Sequence, residues 1–156
     1  MTLGDHFPAD LKKASIIRRL VPGAVIKIMA LMDDGLVHEK RFLVVHIDEN
    51  TVACVINSTI NPIIANNPVI LKCQVAIDAN HHTFMDRDSH IDCSKVFQYT
   101  TDEVISSLEA MPDWILGDVK SGVRDQAVAA IKHSPLISPI VAGVLCASLE
   151  SANLEM

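Results

Sequence analysis

The chain has 156 residues, 49% apolar and 21% charged, which suits one domain with a buried core and excludes disorder as its overall state. Aromatic residues make up only 4%, so the core is expected to be aliphatic. A net charge of −6 excludes a general nucleic-acid coat that relies on bulk positive charge, but not a local basic groove.

The first residues, MTLGDHFPAD, are mixed and polar and carry no secretory pattern. A short helix is expected over residues 9–20, capped by Asp10, with Leu11, Ile16 and Leu20 on its apolar side. Lys12, Lys13, Arg18 and Arg19 give that helix a basic outer face, which is either simply solvated or a docking patch. Pro22-Gly23 ends it. Residues 24–31 (AVIKIMAL) read as a first strand, and Asp33-Asp34-Gly35 as a turn. Residues 37–39 lead into a second strand over 41–47, and Asp48-Glu49-Asn50 turns the chain again. Residues 51–56 (TVACVI) form a third strand. A loop carrying Pro62, Asn66, Asn67 and Pro68 follows, then a fourth strand over 70–77 and a short fifth within 84–91.

From Thr100 the pattern becomes helical. Thr100 and Glu103 fit a capping box opening a helix that runs to about Ala110. Gly117 punctuates the chain, and a second helix is expected over 122–133. Ser138-Pro139 reads as a cap followed by proline at the first helical position, opening a last helix over 140–149. The longest apolar run, residues 139–147, falls short of the ~20 residues that span a bilayer, so the expectation is a soluble, cytoplasmic protein with no membrane contact. The reading is a single α+β domain. Residues 21–99 form a small, partly open SH3-like antiparallel β-barrel, residues 100–149 supply helices packed on one side and at the C-terminal end, and 150–156 form a flexible tail.

Arg41 is the strongest functional candidate. A guanidinium at the mouth of a rigid strand is fixed in space, and its planar donor fork suits a phosphate. The competing reading of Lys40-Arg41 is a solvated strand end that limits aggregation. His38 and Glu39, just before it, are candidate proton shuttles. His81, His82, His90 and Cys93 are metal-ligand types, but their spacing matches no standard zinc pair, so no metal or cofactor is expected. Cys54, Cys73, Cys93 and Cys146 include no CxxC pair and read as free buried thiols. Asp86, Asp88 and Asp92 cluster around Ser89, where Arg87-Asp88-Ser89 reads as a hydrogen-bonded turn.

The ordered set PG-AVIKI (22–28), KRFLVV (40–45), TVACVINSTINP (51–62) and VAIDANHHTFMDRDSHIDCSKV (75–96), with the helices that follow, resembles the MazF/PemK family of toxin-like SH3-type barrels. The resemblance covers roughly residues 22–134. It implies a homodimer, an antitoxin protein as partner, and metal-independent cleavage of single-stranded RNA. Arg41 matches the family's arginine at the start of the second strand. Ser58 is the best match for the hydroxyl at the end of the third, with Thr59 next and Asn57 the match if the register slips by one. Lys40, Asn57 and His38 are then expected to help bind RNA. The alternative is a non-catalytic interaction module of the same fold that binds a protein or a nucleic acid. It is motivated by Phe42 where the family usually has proline, by the Asn57-Ser58-Thr59 run, by the net acidity and by the added terminal helices.

Overall fold

The computed structural model describes residues 3–154, with side chains from 11 to 151. Seven antiparallel strands form one sheet in the order β4-β5-β3-β2-β1-β7, with β6 also pairing β3. The strands are β1 (Ala24–Leu31), β2 (Val37–Ile47), β3 (Asn50–Asn57), β4 (Gln74–Ile77), β5 (Ser89–Asp92), β6 (Phe97–Thr100) and β7 (Ile115–Asp118). The helices are α1 (Leu3–Arg19), α2 (Pro62–Ala65), α3 (Pro68–Leu71), α4 (Thr101–Ala110), α5 (Ser121–His133) and α6 (Pro139–Leu154). The α+β class holds, but the sheet does not close into a barrel: β4 and β7 stand at its two ends.

The helices cover both faces of the sheet rather than one, and the pleat explains how. Successive side chains of a strand point to opposite faces. Phe42 and Val44 enter a layer with Ile26, Ile28, Val55, Ile16 of α1 and Leu108 of α4. Leu43 and Val45 enter the opposite layer with Val25, Cys54, Ile91, Ile131 of α5 and Leu145 of α6. The uninterrupted run Phe42-Leu43-Val44-Val45, all buried, is what a strand covered on both sides requires. Four aromatic residues gather in the layer of Phe42. Phe42 meets the rings of Phe97 and Tyr99 edge-on at 5.8 and 5.7 Å, and Trp114 packs against the same cluster.

Local signals account for most boundaries. The Thr100 hydroxyl accepts the Glu103 N–H at the start of α4, and the Ser138 hydroxyl accepts the Val141 N–H at the start of α6. Helix α1 already includes Asp10, so it begins earlier than a cap at that residue would allow. Where a loop was expected, Asn61-Pro62 and Asn67-Pro68 each open a one-turn helix. Both asparagine side chains accept a backbone N–H, from Ile64 and Ile70, and both prolines sit where a missing donor costs nothing. Helix α3 takes Ile70 and Leu71 at the start of the expected fourth strand, and β4 is four residues long. Helix α6 runs through Leu154, past the tail expected to be flexible from 150; residues 155–156 lie outside the described part. Gly117, read as a breaker, lies inside β7. Gly23 holds a φ of +98°, and a Cβ there would collide with the buried Arg124 guanidinium.

The two turns expected from sequence are closed by aspartates. Asp34 accepts the Leu36 N–H at 2.9 Å, and Asp48 accepts the Asn50 N–H at 2.8 Å. Those backbone donors, then the adjacent His38 and His46, hold both carboxyls below the ordinary value. Asp78 is lowered chiefly by His81, and Asp86 chiefly by Arg41. A carboxyl whose pKa is lower folded than unfolded adds stability above the unfolded value, near 4, and loses it as pH falls through the folded value. The melting temperature should therefore drop as pH falls below about 4. A melting temperature unchanged from pH 5 to strong acid would rule out this contribution.

Candidate functional site: a cationic cleft beside strand β2

Arg41 opens the buried stretch of β2 and is paired across the ladder with Lys27 of β1 and Ile56 of β3. Its face of the sheet lines a cleft of about 450 Å³. Lys27, Lys40, Arg41 and Arg87 border this cleft together with two carboxylates, Glu39 and Asp86, and the Ser58 side of the chain. Four cations against two anions make a local basic spot on a chain whose net charge is −6. Ile56 and Met85 supply its apolar lining.

The side chains are held in a chain of charges. Lys27 Nζ pairs with Glu39 Oε1 at 3.1 Å and lies 4.9 Å from the centre of the Trp114 ring. Arg41 Nη2 donates to Asp86 Oδ2 at 2.8 Å. The Arg41 Nε is buried and has no acceptor among the described residues. The guanidinium beside Asp86 holds that carboxyl below its ordinary value.

The sequence candidates divide between two faces. Arg41 and Ser58 border the cationic cleft. Ser58 comes two residues after Ile56, the cross-strand partner of Arg41, and so continues the same side of β3. Lys40 is the neighbour of Arg41 in sequence but points to the other side, where its Nζ donates to Asn57 Oδ1 at 2.9 Å. His38 lies on that side too, with Nε2 2.7 Å from Asp34 Oδ2. His38, Lys40 and Asn57 border a second cleft, which also contains Asp33, Asp92 and Lys95; Glu39 and Lys40 border both. Thr59 is exposed and lines neither. The expected six residues are thus not one constellation.

Lys27, Asp86 and Arg87 complete the cleft and were not among those six. Lys27 could have been found by folding β1 back onto β2 at the Asp34-Gly35 turn, since that register sets it opposite Arg41. No sequence signal announces Asp86 as the partner of Arg41, because their contact spans 45 residues. Arg87-Asp88-Ser89 is a hydrogen-bonded turn: Asp88 accepts the Ala79 N–H at 2.8 Å, and the Ser89 hydroxyl donates to the Arg87 carbonyl at 3.1 Å.

Other chemical groups have structural partners. His82 is buried; its Nδ1 lies 3.0 Å from the Asp78 carbonyl, and its Nε2 accepts the Lys120 N–H at 3.1 Å, tying α5 to the connection between β4 and β5. All four cysteines are free and buried, and burial and neighbouring groups push the thiols of Cys73, Cys93 and Cys146 upward, against nucleophilic use. Among the described residues no three His, Cys, Asp or Glu side chains are placed to hold a metal ion. No described helix is long and apolar enough to cross a membrane.

No protein-family model and no curated protein matches this sequence. Among solved structures, the chain is similar to the Mycobacterium tuberculosis toxin MazF-mt6, with a TM-score of 0.46 and 12% sequence identity over 72% of this chain and 98% of that one.

Proposed function

We propose that the protein is a toxin-type endoribonuclease that cuts single-stranded RNA without a metal ion, in the cationic cleft around Arg41. The observation that carries this reading is the concentration of Lys27, Lys40, Arg41 and Arg87 around one cleft on an otherwise acidic protein. The ordered resemblance of residues 22–134 to MazF/PemK proteins supports it.

In the proposed reaction the ribose 2′-hydroxyl attacks the adjacent phosphorus, and the 5′-oxygen leaves and takes a proton from water. The products are a 2′,3′-cyclic phosphate and a free 5′-hydroxyl. Negative charge builds on the phosphoryl oxygens in the transition state, and a fixed guanidinium stabilises it because its donors are already aimed. Ser58 positions the phosphate through its hydroxyl. Glu39, two residues before Arg41 on the same strand face, accepts the 2′-hydroxyl proton. An antitoxin protein and a second copy of the chain belong to the same reading.

The test is incubation with a long, unstructured RNA in excess chelator, followed by analysis of the new ends. Discrete fragments with cyclic phosphates and 5′-hydroxyls are expected. Intact RNA across a panel of sequences would remove the catalytic reading. One observation would then favour an interaction module: Met29, Leu31, Leu36 and Val37 stand exposed at the tip of the β1–β2 hairpin.

A further inference from the structure

We propose that Asp86 is an internal competitor for the Arg41 fork, which makes the cleft selective for the backbone of a polyanionic strand over single small anions. The proposal rests on the RNA-cleft reading above.

An arginine meets a phosphate best through two parallel donors. In this protein Asp86 takes only one of them, Nη2, at 2.8 Å. The adjacent Nε is buried and without an acceptor. The fork is therefore half occupied by a carboxylate that sits where a phosphoryl oxygen would lie. A phosphate that takes both donors has an advantage that Asp86 lacks.

The carboxylate is placed to leave without disturbing the fold. It is 69% exposed. Its chain neighbour Met85 is buried, and the Met85 N–H donates to the His82 carbonyl at 2.9 Å, so the backbone of the connection is pinned. Release of Asp86 then needs only side-chain rotation, a motion of picoseconds to nanoseconds for an exposed residue. Displacement has to be driven by charge. A free anion brings one phosphate against a carboxylate already in place. A strand brings a neighbouring phosphate as well, and Lys27 and Arg87 border the same cleft to receive it. The contact discriminates by number of charges, not by base.

The experiment compares wild type, Asp86→Asn and Arg41→Ala. The probe is a fluorescent single-stranded oligodeoxynucleotide, which lacks the 2′-hydroxyl and cannot be cut. Inorganic phosphate serves as competitor, and RNA cleavage is run in parallel. Asp86→Asn should bind the oligonucleotide about three- to tenfold tighter, since the exposed ion pair and the repulsion between carboxylate and phosphate are both removed. It should also become more sensitive to inorganic phosphate and still cleave RNA. Asp86→Ser should behave alike. Equal binding by wild type and both Asp86 variants, with weaker binding by Arg41→Ala, would overturn the competitor role and leave the cleft reading standing. Loss of cleavage in Asp86→Asn with binding retained would overturn it as well, by placing Asp86 in the catalytic step. No binding by any of these proteins would remove both readings.

Discussion

Replacing Arg41 with alanine is expected to lower the rate of RNA cleavage by about 10²–10³-fold, the usual cost of losing one preorganised donor to a developing oxyanion. The melting temperature should move by no more than about 4 °C, the shift that about 1 kcal/mol gives in a chain of this size. Position 41 takes part in the sheet through its backbone, between Lys27 and Ile56, and alanine leaves that ladder intact. The ion pair lost is with an exposed aspartate, so it contributes little to stability. Arg41→Lys separates charge from geometry. Lysine keeps the positive charge but cannot offer two coplanar donors, so an intermediate rate is expected. Initial rates on one RNA with chelator present, alongside thermal melts, check both variants. An Arg41→Ala protein that cuts at the wild-type rate would show that the chemistry lies elsewhere.

The next residue should give the opposite result. Phe42→Ala is expected to cost about 3–5 kcal/mol, as for other buried aromatic truncations, and to lower the melting temperature by roughly 6–20 °C for a chain of this size. Phe42 is fully buried between Ile26 and Val55 on the central strand. It also meets Phe97 of β6 and Tyr99 edge-on, each such pair adding about 0.5–1.5 kcal/mol beyond area burial. Its removal opens a cavity where β2, β6 and the α1/α4 layer meet. A melting temperature within about 3 °C of wild type would mean that the layer collapses to fill the gap.

Periodicity and capping residues made much of the architecture legible. AVIKIMAL is a short apolar run between Pro22-Gly23 and an Asp-Gly turn, and β1 has the bounds read from it. Ser138-Pro139 and Thr100 opened helices as expected. Strands β6 and β7 were missed because each is four residues long, too short to establish a period. They are strands because β3 and β1 present free edges to them. Asn-Pro was read as loop punctuation, although asparagine before proline is equally a helix start. Coverage of both sheet faces was visible in Phe42-Leu43-Val44-Val45, since a half-exposed strand would have alternated. Arg41 was identifiable by residue type and position. That Lys40 and Arg41 point to opposite sides of the strand follows from the pleat alone. The partnership with Asp86 depended on tertiary structure, and no local rule reaches across that connection.

The position of β7 has a consequence for synthesis. Strand β1 has β2 on one side and β7 on the other, and Arg19 Nη2 donates to the Ile115 carbonyl at 3.0 Å across a separation of 96 residues. The layer against Leu43 and Val45 is likewise supplied by α5 and α6, from the last third of the chain. At about 5–20 residues per second, a ribosome needs roughly 5–20 s to make the segment between β1 and β7. During that interval the nascent chain carries β1 with one edge unpaired and one apolar face bare. Ribosome-bound chains halted before Ile115 should therefore be far more open to proteases than the released protein.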